Sequence, residues 1–111
     1  MPNASKRTRR AHNIYVIELD KEVLRERKFR EANPEYDETK PCVYVGMSGR
    51  PPEERFEQHL SGYRATRYVR RYGIRLKPRL YQRFNPYDEA CEKERWRART
   101  LRKKGYGVWQ N

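Results

Sequence analysis

The stretch Cys42-Val43-Tyr44-Val45-Gly46-Met47-Ser48-Gly49-Arg50-Pro51-Pro52-Glu53-Glu54-Arg55-Phe56-Glu57-Gln58-His59-Leu60 decides how this chain folds. A β-branched and aromatic run over residues 42–47 reads as a strand. Ser48-Gly49 turns the chain, and a helix opens at Pro51-Pro52. Proline suits the first helical turn, because the N–H it lacks would find no partner there. Glu53 and Glu54 complement the positive end of that helix. The helix is expected to reach about Ser61, with Gly62 ending it. Phe56, Leu60 and Tyr63 recur at i, i+4, i+7 and are expected to form its core face. Arg55 and His59 stand one turn apart on an adjoining stripe, so they emerge together where the helix meets its support. Such a pair beside a strand is suited to holding a phosphate.

Upstream, Asn13-Ile14-Tyr15-Val16-Ile17-Glu18-Leu19 reads as a first strand, the expected antiparallel neighbour of 42–47. Asp20 can cap a following helix over 21–32, which carries Val23, Leu24 and Phe29 among many charges and ends at Asn33-Pro34. This weakly amphipathic segment is expected to lie on the surface. Downstream, Tyr63–Tyr72 reads as a short helix dense in arginine, stopped by Gly73. A third strand is expected around Leu76, Leu80, Tyr81 and Phe84, with Asn85-Pro86 as a turn. The fold class is therefore α/β in the α+β sense, a small three-stranded, mostly antiparallel sheet flanked by helices.

With 111 residues, one domain is expected, preceded by a flexible basic tail over residues 1–11. Hydrophobic residues make up 35% and charged residues 38%, yet nine Tyr, three Phe and two Trp supply core candidates, which argues against disorder. The formal charge is +12 and it is uneven. Residues 1–49 carry ten Lys/Arg against eight Asp/Glu; residues 50–111 carry seventeen against seven. A basic field over the second half attracts polyanions, nucleic acid above all. Cys42 and Cys91 lack metal-type spacing, and the N-terminus is polar and basic. A reduced, cytoplasmic setting without a disulfide is expected. No apolar stretch approaches membrane-spanning length.

The last helix, Tyr87 to about Lys104, places Ala90, Cys91, Ala98 and Leu101 on one apolar stripe, and Glu94 falls in its middle. A carboxylate there is costly unless paired or close to a cation. It is either a partner for a structural arginine such as Arg55, or a metal ligand or active-site acid. Trp96 lies opposite the stripe between Arg95 and Arg99. It is expected to pack under the C-terminal tail, the alternative being an exposed stacking surface.

Taken in order, Asn13-Ile14-Tyr15, Tyr44-Val45-Gly46, Arg55, His59 and Glu94, the last in an Ala90-x-x-x-Glu94 setting, resemble the GIY-YIG endonuclease family. The resemblance covers residues 13–111 apart from 20–40, which reads as an insertion. Asn13 stands where the family usually has Gly. Asn111 is similar in position to a C-terminal Asn of many members.

The resemblance implies a single GIY-YIG-like nuclease domain over 12–111 and metal-dependent hydrolysis of DNA. It implies that Glu94 binds one Mg²⁺ or Mn²⁺ and that Arg55 meets the non-bridging phosphate oxygens. Tyr15 or Tyr44 would act as general base or orient the attacking water, with His59 hydrogen-bonding the water or that Tyr. Ser48 and Arg50 are candidate phosphate contacts. Arg64, Arg67, Arg70, Arg71 and Lys77, with Arg75 and Arg79, are the candidate nucleic-acid footprint, with RNA left open as a target. A partner, a second copy of the chain or a DNA structure would supply specificity, and residues 20–40 are the candidate partner surface. The alternative function is a non-catalytic basic nucleic-acid-binding module on the same scaffold, with Glu94 structural.

Overall fold

A computed structural model describes residues 12–61, 67–81 and 87–110 of the chain. The fold is mixed α+β: a four-stranded sheet between helices, in which β1 (Asn13–Leu19) and β2 (Cys42–Ser48) lie between the edge strands β3 (Gly73–Leu76) and β4 (Gly107–Gln110), in the order β3-β1-β2-β4. Strands β1 and β2 pair antiparallel from Asn13 opposite Ser48 to Leu19 opposite Cys42. Both runs are apolar on both sides because both faces of the sheet are covered. Tyr15, Ile17, Leu19, Cys42 and Tyr44 face one layer. Ile14, Val16, Val43 and Val45 face the other.

The second layer is the long helix α4 (Tyr87–Lys103), which sets Ala90, Ala98 and Leu101 on the sheet. Its apolar stripe is the expected one. The helix ends in a Schellman arrangement. Tyr106 N–H donates to Leu101 C=O at 3.0 Å and Gly105 N–H to Arg102 C=O at 2.9 Å. Gly105 sits at φ +97, where a Cβ would also meet Asp37 Cβ at 2.8 Å. This turn sends the chain back as β4 (Gly107–Gln110), which pairs parallel to β2. β4 is the strand the sequence reading lacks. Four residues close behind a helix carry almost no periodicity of their own.

The third expected strand is shorter and earlier. Helix α3 (Arg67–Tyr72) passes directly into β3 (Gly73–Leu76), so Gly73 starts the strand as well as ending the helix. A Cβ at Gly73 would lie 2.6 Å from the Val69 carbonyl oxygen. Leu80 belongs to a 3-10 turn, Pro78–Leu80. Phe84 and the Asn85-Pro86 turn lie outside the described residues.

Residues 20–40 are the largest departure from expectation. Asp20 caps as expected, its carboxylate accepting from Glu22 N–H at 2.8 Å. The helix it opens breaks at Glu26 into a 3-10 turn, Lys21–Arg25, and α1 (Arg27–Ala32). In one continuous helix, Val23 and Phe29 would point about 120° apart. The break lets both reach the core, each 0% exposed. The segment is therefore part of the fold, and its removal would open the core. Asn33 fixes it to the C-terminus. Its carboxamide donates to Phe29 O at 2.8 Å and Val108 O at 3.0 Å, and accepts from Val108 N–H at 2.8 Å. No helix among the described residues is long and apolar enough to cross a membrane.

Candidate active site

Antiparallel register sets Tyr15 opposite Gly46 and Ile17 opposite Tyr44. Tyr15 and Tyr44 are thus diagonal neighbours on one face, within reach for long side chains. Both lean over Gly46. A Cβ there would meet Tyr15 Oη at 2.7 Å, Tyr44 Cε2 at 2.7 Å and Tyr15 Cζ at 2.8 Å. Glycine is the residue that lets two phenols converge at this point.

Helix α2 (Pro52–Leu60) closes over them. His59 is 1% exposed, and its Nε2 lies 2.8 Å from Tyr15 Oη. Its ring stands edge-on to Tyr44 at 5.6 Å between centroids. The expected core face of this helix is rotated. Phe56 packs on the core, but Leu60 is 47% exposed, and His59 takes the buried place. Tyr63 lies outside the described residues. The rotation follows from the turn before the helix. Ser48 is buried and its hydroxyl accepts from Arg50 N–H at 2.9 Å, which fixes how the chain enters α2.

Burial dominates the electrostatics. It holds the Tyr15 hydroxyl well above the ordinary phenol range, with neighbouring Tyr44 next in effect. Arg55 opposes that shift and Glu94 adds to it. Tyr44 is pushed up to about 12, by burial first and Glu94 second, while Arg55 and a hydrogen bond from Tyr15 pull it down. Arg55 and Glu94 therefore act on both phenols, although Glu94 stands on the helix covering the opposite face of the sheet. Burial, then Arg55, lowers His59 from 6.5 to about 4, so its imidazole is neutral at neutral pH. Burial raises the Glu94 carboxyl, against the opposing effects of Gln110 and Arg95.

Glu94 Oε1 accepts from Gln110 Nε2 at 3.2 Å. Sequence reasoning did not find Gln110, because its place depends on β4. Asn111 lies outside the described residues. Arg55 donates to Gln58 Oε1 at 3.1 Å. Asn13 is regular strand opposite Ser48, so its backbone there does not require a glycine.

Most of the remaining basic candidates among the described residues pair with carboxylates of their own. Arg50 pairs with Glu54 at 2.9 Å. Arg67 and Arg71 flank Glu26 at 3.1 and 3.8 Å. Arg75 and Lys77 flank Glu18 at 3.4 and 4.0 Å. Arg70 and Arg79 are exposed. Arg64 lies outside the described residues. Arg67 and Arg71 on α3, Arg75 on β3 and Lys77 just after it are thus partly neutralised.

Among the described residues, no three of His, Cys, Asp and Glu gather as a metal-holding group. Glu94 offers one half-buried carboxylate. Such a donor fits a hard cation that keeps most of its coordination in water and substrate oxygens, as Mg²⁺ does. Compared with protein-family models, with curated proteins and with solved structures, the chain matches none of them.

Proposed function

We propose that the chain is a metal-dependent endonuclease of the GIY-YIG kind, hydrolysing phosphodiester bonds of DNA. The observation that carries this reading is the convergence of Tyr15, Tyr44 and His59 over Gly46, with Arg55 and Glu94 acting on both phenols.

Hydrolysis needs an acceptor for the proton of the attacking water and a counter-charge for the phosphate. Neutral His59 favours the tautomer with its proton on Nε2. That proton faces Tyr15 Oη, and the unpartnered buried atom is then the bare Nδ1. Tyr15 in turn directs its hydroxyl at Tyr44, whose phenolate this contact stabilises. The hydrogen-bond chain runs His59 to Tyr15 to Tyr44. It makes Tyr44 the base that receives the water proton and Tyr15 the residue that positions it. At about 12, Tyr44 is a scarce phenolate at neutral pH. The rate is therefore expected to rise with pH through the neutral range. Arg55, with its planar fork, meets the non-bridging oxygens. Glu94 would hold one Mg²⁺ or Mn²⁺, which supplies positive charge for the leaving oxygen.

The test is nicking of supercoiled plasmid with and without Mg²⁺ or Mn²⁺, beside Glu94→Gln, Arg55→Ala and Tyr44→Phe. The expected result is metal-dependent cutting by the parent and loss of at least about 100-fold in each variant, with binding retained. A parent that binds plasmid and branched DNA tightly but never cuts would replace this reading with a non-catalytic binding module.

A further inference from the structure

Helix α4 turns a second surface outward, away from the sheet. Trp96 is 46% exposed there, where packing under the C-terminal tail was expected. A helix whose apolar stripe already faces the sheet leaves its opposite side to solvent, and Trp96 is on that side. The Arg97 guanidinium lies over the indole ring at 5.1 Å. A depression of about 590 Å³ beside the ring is lined, among the described residues, by Glu92, Lys93, Arg95, Trp96 and Arg99.

Many arginines elsewhere on the surface are paired with carboxylates: Arg25, Arg27, Arg50, Arg67, Arg71 and Arg75 each have one within 4.0 Å, though among the described residues the exposed Arg70 and Arg79 do not. Among the described residues, Arg95, Arg97 and Arg99 form no such ion pair, and Arg97 Nε is buried without an acceptor. An exposed aromatic face beside three guanidinium groups that have no described carboxylate within 4.0 Å, with Glu92 the acid lining the depression, matches a polyanion that also presents flat rings. Duplex DNA hides its base faces in the stack. A single strand exposes them.

We propose that the outer side of α4 is a contact surface for single-stranded nucleic acid, with Trp96 stacking on an unpaired base and Arg95, Arg97 and Arg99 meeting the flanking phosphates. It shares with the proposed function only the premise that the polyanion is nucleic acid. For a nuclease it would select sites where a duplex has opened. For a simple binding module it would be part of the footprint.

The test is a titration of the full chain with a short oligodeoxythymidylate in EDTA, read by anisotropy of a label on the oligonucleotide. A parallel titration of Trp109→Phe reads the emission of Trp96 alone. The expected results are quenching of Trp96 at saturation and binding roughly 5- to 100-fold weaker in Trp96→Ala. Affinity for a blunt duplex should change less than about twofold. Replacing Arg95, Arg97 and Arg99 together by Gln should reduce the slope of log K on log salt by about 2. Unchanged emission at saturation, or equal affinity of Trp96→Ala for the single strand, overturns the proposal. So does sedimentation showing a dimer that Trp96→Ala dissolves, which would assign the face to a second copy. No step needs cleavage. A chain that stacks the strand and never cuts keeps this surface and loses the nuclease reading, and the converse result separates them equally well.

Discussion

Replacing Gly46 by Ala adds one methyl group where the structure has space for none. The new Cβ would stand 2.7 Å from Tyr15 Oη, 2.7 Å from Tyr44 Cε2 and 2.8 Å from Tyr15 Cζ. Ordinary contacts of this kind begin near about 3.5 Å, so the rings must retreat by roughly 0.7 Å or more. The retreat cannot be shared out cheaply, because Tyr15 is 1% and Tyr44 3% exposed. It also stretches the 2.8 Å contact of Tyr15 with His59 towards the limit of a hydrogen bond. Overpacking costs about 1–3 kcal/mol and a lost buried hydrogen bond about 1. Relief of strand glycine entropy returns about 0.5–1 kcal/mol. The net expectation is a loss of about 1–3 kcal/mol, measured by urea unfolding followed by circular dichroism. A displacement approaching 1 Å in the site should cut the nicking rate by about 100-fold, more than stability alone would. Gly46→Ala should also couple to Tyr15→Phe, since removing the hydroxyl relieves one of the three clashes. Unchanged stability and rate in Gly46→Ala, or strict additivity with Tyr15→Phe, would refute the packing argument.

His59 should make stability fall in mild acid. Its folded-state value is depressed from 6.5 to about 4. Above 6.5 both states carry the neutral ring and the contribution is complete. As pH falls, the unfolded chain takes up the proton first, and the contribution, roughly 3 kcal/mol, is lost by about pH 4. Unfolding of His59→Gln should show a shallower slope between pH 6.5 and 4; an identical slope in both proteins would sink the assignment. Asn33→Ala should destabilise by about 1–3 kcal/mol, because the buried N–H of Val108 loses its acceptor while the Val108 C=O keeps the Arg102 guanidinium at 2.9 Å. Asn33→Asp keeps the acceptor and should cost less. A thermal or urea shift equivalent to under about 1 kcal/mol for the alanine variant would contradict the bridging role.

The chain's local chemistry was readable from sequence because it is written in short periods. Runs of β-branched and aromatic residues announced β1 and β2, and a 3.6-residue stripe announced α4 with Glu94 at its centre. Asp20, Pro51-Pro52 and Gly73 marked boundaries close to those observed. Tyr15 and Tyr44 were singled out by the resemblance to the GIY-YIG motifs, and His59 by its place on the helix as well; the three side chains do meet.

Tertiary structure decided what depends on contacts distant in sequence. β4 exists because α4 crosses the sheet and returns the chain beside β2, a pairing that no window of adjacent residues encodes. Gln110 reaches Glu94 only through that pairing. Residues 20–40 read as surface because their charges dilute two apolar residues. A break at Glu26, held by Tyr72 at 2.7 Å and Arg67 at 3.1 Å, turns Val23 and Phe29 inward. Leu60 and His59 exchanged their expected places because the Ser48 turn sets the rotation of α2, and helical spacing fixes which residues share a face but not which face is covered. Periodicity is a property of neighbours along the chain, whereas burial is a property of what the rest of the chain brings alongside.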